Sequence, residues 1–117
     1  MNSVDAEMLA RLHDVCTIAP FVVDQAIGVG NRDNALRNRP GFAADLTGFE
    51  AFISHVHLSD VWEGLAVPRL VDLRTAAEIV IGCWAVNLLP VLANRSVLFF
   101  AGGASVEDFS VRFHEVS

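Results

Sequence analysis

Apolar positions in the first part of the chain recur at helical spacing. Met8, Leu12, Val15 and Cys16 fall on one face. Ser3 supplies a cap, and Asp5 and Glu7 occupy the first turn, where carboxylates suit the positive end of the helix dipole. This pattern predicts a helical region over residues 3 to 27, interrupted at Pro20. Proline is tolerated in a first helical turn, so a second short helix is expected from Phe21 to Ile27, ended by Gly28 and Gly30. Residues 28 to 46 lose the periodicity. They are rich in glycine, asparagine and arginine, and read as a long irregular loop with one helical turn near Ala35.

Thr47 and Glu50 then form a capping-box pair, and Phe49, Phe52, Ile53 and Val56 follow at i, i+3, i+4 and i+7. A helix over about residues 48 to 57 is expected; partial alternation in FISHVHL leaves a strand as the alternative. Leu58 to Gly64 exits as a turn. Beyond Pro68, a long helix is expected from Asp72 or Thr75 to about Leu92. It is apolar almost all round, which places it in the core or in a subunit interface. Pro90 should kink or shorten its end. Ser96 to Ala101 reads as a strand. From Phe109 to Val116 the alternation is clean, with Phe109, Val111 and Phe113 on one face and Ser110, Arg112 and His114 on the other.

The order predicts an α+β fold in a single domain over residues 1–117: N-terminal helices, one long buried central helix, and a small antiparallel sheet ending in a C-terminal β-hairpin. Two strands alone are marginal, so either a third strand from mid-chain or a second copy should complete the sheet.

Composition narrows the class. At 53% hydrophobic and 19% charged, with a mean hydropathy of +0.45, the chain is too apolar to be disordered. The net charge of −6, from eight Arg and fourteen Asp and Glu without any Lys, argues against a nucleic-acid partner. It suits a basic protein partner instead. The longest apolar stretch, Ile79 to Ala93, is shorter than the roughly 20 residues of a membrane helix and contains Asn87 and Pro90, so no membrane association is expected. The N-terminal residues lack a basic, then apolar, secretory pattern. Cys16 and Cys83 lie in apolar helical contexts without zinc spacing and read as two buried thiols in a reducing cytosol.

Three groups of residues carry candidate chemistry. His55 and His57, with Asp60 nearby, are weak candidates for acid–base work or for a metal site. On a helix the two imidazoles point about 200° apart; on a strand they share a face. A third ligand would have to be His13 or His114, so no metal or other cofactor is expected. Ser54, Ser59 and Cys83 are the available nucleophiles, without a GxSxG elbow. Gly28-Val29-Gly30 followed by Arg32, Arg37 and Arg39 resembles a fragment of an anion-cradling loop, though position 33 is Asp where a third glycine would stand. Trp62, flanked by Asp60 and Glu63, and Phe100 of the hairpin are candidates for partner contact. The reading that combines these points is a small, acidic, non-catalytic binding protein of the bacterial cytosol, of inhibitor or immunity type, acting on a basic partner as a homodimer. The alternative is a small enzyme or ligand-binding protein with a pocket using His55, His57 and Asp60.

Overall fold

The structure, a computed structural model, describes residues 3–65 and 68–116. The capping roles of Ser3 and Asp5 fall on side chains outside that description. The fold is α+β. Helix α1 (Ser3–Cys16) leads into a hairpin of β1 (Pro20–Val23) and β2 (Ala26–Val29), followed by α2 (Arg32–Phe42) and α3 (Leu46–Ile53). Strand β3 (His55–His57) and a 3-10 turn (Leu58–Trp62) precede the long helix α4 (Leu70–Asn87), the short α5 (Leu89–Leu92) and the terminal pair β4 (Ser96–Gly102) and β5 (Ser110–Val116). The hairpin is one antiparallel sheet; the other has the order β3-β5-β4.

The main core forms where α4 crosses the inner face of the three-stranded sheet. Leu73, Val80 and Trp84 of α4 meet Val111 and Phe113 of β5, all essentially sealed from solvent. The Trp84 ring stands edge-on to Phe113, with centroids 6.0 Å apart. Its indole N–H donates to the Val15 carbonyl at 3.0 Å, and Asn87 Nδ2 donates to the Cys16 carbonyl at 2.9 Å. These two bonds pin the end of α1, whose last carbonyls lack helical partners, against α4. Helix α4 begins at Leu70, earlier than expected, because Arg69 and Asp72 close a reciprocal cap ahead of it. It ends at Asn87, and Pro90 sits in the first turn of α5 as a separate short helix.

Three expectations are corrected. Residues 21–27 are a hairpin, not a helix. Phe21, Val22, Val23 and Ile27 are strand formers, and Asp24 and Gln25 make the turn with both φ values positive, 49° and 73°, the signature of a type I′ hairpin turn. Gly28 permits the tight packing inside β2: a Cβ there would lie 2.7 Å from Phe21 Cζ and 2.8 Å from Ile53 Cδ1. Residues 32–42, expected as irregular loop, form α2, started by Asn31, whose side chain accepts from the Asn34 amide at 2.9 Å. The helix expected over 48–57 stops at Ile53, and the strand alternative holds at His55–His57, where it supplies the third strand of the sheet.

A second, smaller core lies between the hairpin, α2 and α3, built on Phe21, Val23, Ala26, Ala35, Phe49 and Ile53. Glu50 joins it to the main sheet. This carboxylate is 8% exposed. It accepts from the Ile27 amide at 3.1 Å and from the Glu115 amide at 2.8 Å. Arg95 lies 4.0 Å from it and pairs with both oxygens of Glu115, at 2.9 and 2.5 Å. Hydrogen bonding to Arg95 holds the Glu115 carboxyl below its ordinary value and raises the Arg95 guanidinium.

Candidate functional site: the outer face of the three-stranded sheet

Alternation along β5 turns Val111 and Phe113 inward and Ser110, Arg112 and His114 outward. Register extends that outer face across the sheet. His55 lies opposite Arg112, and Arg112 opposite Phe100; His57 lies opposite Ser110, and His114 opposite Leu98. Val56 packs toward the core, so both flanking imidazoles face out, with ring centroids 5.2 Å apart. The Phe100 ring is stacked on His114 at 4.8 Å, and the Arg112 guanidinium lies 5.6 Å from its centroid. Leu98 is 52% and Phe100 37% exposed. The face thus gathers one guanidinium, three imidazoles and three apolar side chains, Leu98, Phe100 and Val116. Its strand positions hold no carboxylate; Asp108 stands on the rim, where a shallow depression of about 410 Å³ is lined by Phe100, Gly102, Gly103, Asp108, Ser110 and Arg112.

The residues weighed as weak candidates for a metal site or for acid–base work fall as follows. His55 and His57 do share a face, contrary to the helical expectation. Among the described residues, however, no group of three or more His, Cys, Asp or Glu side chains is placed to hold a metal ion. The Nδ1 of His55 lies 3.1 Å from the Ala51 carbonyl. Asp60 sits in the 3-10 turn that follows β3, and among the described residues no hydrogen bond or ion pair joins it to either imidazole. Ser54 is fully buried and donates to the Phe113 carbonyl at 2.7 Å, on the opposite side of the strand from His55. Ser59 donates to the Glu107 carbonyl at 2.9 Å. A second depression, of about 230 Å³, touches His55 through Phe21, Phe52, Asn31 and Asn34. Both asparagines are already engaged within α2, in its cap and in bonds to Arg37 and Asn38.

The partner-contact residues lie on different elements: Asp60, Trp62 and Glu63 in and after the 3-10 turn, and Phe100 on β4. Trp62 packs against the main core, which is a structural role. Arg11 donates to the carbonyls of Val61 and Glu63 and so fastens this turn to α1. Phe100 lies on β4, at the far side of the sheet from β3. The anion-loop arginines also part company. Arg32, Arg37 and Arg39 lie on α2, and at 100° per residue Arg37 points well away from the other two. Arg39 is committed: it pairs with Asp24 at 2.7 Å, donates to the Ala43 carbonyl at 2.8 Å and covers the Phe49 ring at 5.0 Å. The Gly30 amide bonds the Ala19 carbonyl at 3.2 Å.

Sequence reasoning set Arg112 and His114 on one face, weighed His114 only as a possible third metal ligand and did not single out Arg112. The signal was the β5 alternation; what it lacked was the register that brings His55 and Phe100 to the same face. No described helix is long and apolar enough to cross a membrane. Comparison of the chain with protein-family profiles, with curated proteins and with solved structures yields no match.

Proposed function

We propose that this chain is a non-catalytic interaction protein that works as a homodimer, joined edge to edge through β4 and offering the outer sheet face as its contact surface. The observation that carries this reading is the character of β4. It is an edge strand of seven residues, Ser-Val-Leu-Phe-Phe-Ala-Gly, without a charge or a proline. Natural edge strands are usually guarded by such residues or by bulges, because their unpaired backbone groups template pairing with another strand.

The direction of those groups follows from the neighbouring strand. The Phe113 amide bonds the Ser54 carbonyl and the Phe109 carbonyl accepts from Leu58, so the odd-numbered residues of β5 direct their backbone groups toward β3. The even-numbered ones therefore bond β4, through Leu98, Phe100 and Gly102. That leaves the N–H and C=O groups of Val97, Phe99 and Ala101 on the outer edge. Antiparallel pairing of two copies about Phe99 sets Val97 against the second copy's Ala101 and Leu98 beside the second copy's Phe100. Such an interface is self-complementary, as two-fold symmetry requires. It also brings no carboxylate of β4 against another, which matters for a chain of net charge −6.

Binding is favoured over chemistry by the employment of the polar side chains: Ser54 and Ser59 serve the backbone, and the Nδ1 of His55 faces the Ala51 carbonyl. Charge on the outer face favours an anionic contact there over the basic one that the net charge suggests. Sedimentation velocity tests the reading. The wild-type chain is expected to run as a dimer across the micromolar range. Ala101→Pro, which removes an outward N–H at an exposed position, is expected to run as a monomer with an unchanged circular dichroism spectrum. A wild-type monomer throughout that range would overturn the proposal.

A further inference from the structure

We infer that Cys16 and Cys83 are a thiol pair built to close into a disulfide between α1 and α4 by exchange with a small-molecule disulfide. The placement is specific. Cys16 ends α1, and its carbonyl is held at 2.9 Å by Asn87 Nδ2. Cys83 precedes Asn87 by four residues on α4, so the two stand on the same stripe of that helix, one turn apart. The adjoining bond from Trp84 to the Val15 carbonyl fixes the same two chain segments a second time. Cys16 lies within the main core and Cys83 packs against that same core, beside the contact by which Asn87 holds the Cys16 carbonyl.

Their unequal exposure orders the steps. Cys83 is half-buried and reachable; Cys16 is buried. Burial, reinforced by the Cys83 thiol beside it, pushes Cys16 up to about 11. The Cys83 thiolate therefore attacks the external disulfide first, forming a mixed disulfide and releasing one small thiol. Cys16 then loses its proton to solvent and attacks the Cys83 Sγ, displacing the second small thiol. In balance, two protein thiols are oxidised to one disulfide, and one external disulfide is reduced to two thiols. Because Cys16 is so rarely ionised, the second step sets the rate and quickens as pH rises. The product ties residues 16 and 83 together, closing a long loop, and is expected to raise the melting temperature by about 10 °C.

Incubating the folded protein with oxidised glutathione, alkylating the remaining thiols and weighing the intact chain tests this. The expected product is an unalkylated chain lighter by two hydrogens, with a proteolytic fragment linking Cys16 to Cys83 and no covalent dimer on a non-reducing gel. Cys16→Ser is expected to stop at the glutathione adduct on Cys83. A wild-type chain that keeps both thiols, retains glutathione on Cys83, or cross-links between copies would overturn the inference. The wild-type measurement decides it even if a cysteine variant fails to fold.

Discussion

Trp84→Ala is expected to lower unfolding stability by about 3–5 kcal/mol, the usual cost of emptying a sealed aromatic site. That is a large share of the roughly 5–15 kcal/mol that holds a domain folded. Trp84 is 1% exposed. It is where three elements meet: its own helix α4, the sheet through Phe113, and α1 through the indole N–H to the Val15 carbonyl. Truncation removes the ring and also the shorter of two hydrogen bonds to that carbonyl, leaving it the Ile18 amide at 3.4 Å. Trp84→Phe separates the two losses. It keeps most of the apolar volume and drops the donor, so a smaller cost of about 1–3 kcal/mol is expected. Urea denaturation followed by fluorescence of the remaining tryptophan, Trp62, measures both. A loss below about 1 kcal/mol for the alanine variant would mean that α4 is not the spine of the core.

Glu50→Ala is expected to cost about 3 kcal/mol, because hydrogen bonds to a charged group contribute more than neutral ones and an unpaired buried amide is penalised. The change leaves the Ile27 amide and the Glu115 amide without their acceptor, and Arg95 with one carboxylate in place of two. Glu50→Gln keeps one acceptor oxygen, and about half of that loss is expected. The readout that distinguishes a local from a global role is amide exchange in β1–β2. If Glu50 is the clamp between the two cores, Ile27 should lose protection in Glu50→Ala more than residues of α4 do. Equal losses in both places would instead make Glu50 an ordinary buried side chain.

The same residue shows why part of the fold was legible in the sequence and part was not. Helix α4 and strand β5 were plain because their signals are local and redundant: an apolar run around Trp84, and strict alternation from Phe109 onward. Glu50 was misassigned because its partners are distant. Thr47 and Glu50 have capping-box spacing, yet Asp45 caps α3 by accepting from the Gly48 amide at 2.9 Å. Gly48 makes room for this, since a Cβ there would lie 2.2 Å from Asp45 Oδ2. Glu50 is thereby freed to reach Ile27 and Glu115. The β1–β2 hairpin escaped notice for a different reason. Its turn is Asp24-Gln25, where the recognisable signal would be Asn-Gly or Asp-Gly.

At the candidate site, the outward positions of β5 were legible, and those of β3 were not. FISHVHL satisfies both periods over so short a span, and only the pairing of His55 with Arg112 resolves it. Backbone pairing with β5 outweighs the local helical preference once Ser54 anchors to the Phe113 carbonyl. The grouping of His55, Arg112, Phe100 and His114 is a product of register, and register is long-range information.

Hydrogen exchange of the β4 amides tests the central claim, that two copies share one sheet, most directly. The Val97, Phe99 and Ala101 amides point away from β5, whereas those of Leu98 and Phe100 bond it. Edge-to-edge pairing predicts that the first three gain protection as protein concentration rises, while the other two are protected at every concentration. Fast exchange at Val97, Phe99 and Ala101, unchanged from dilute to concentrated protein, would contradict it.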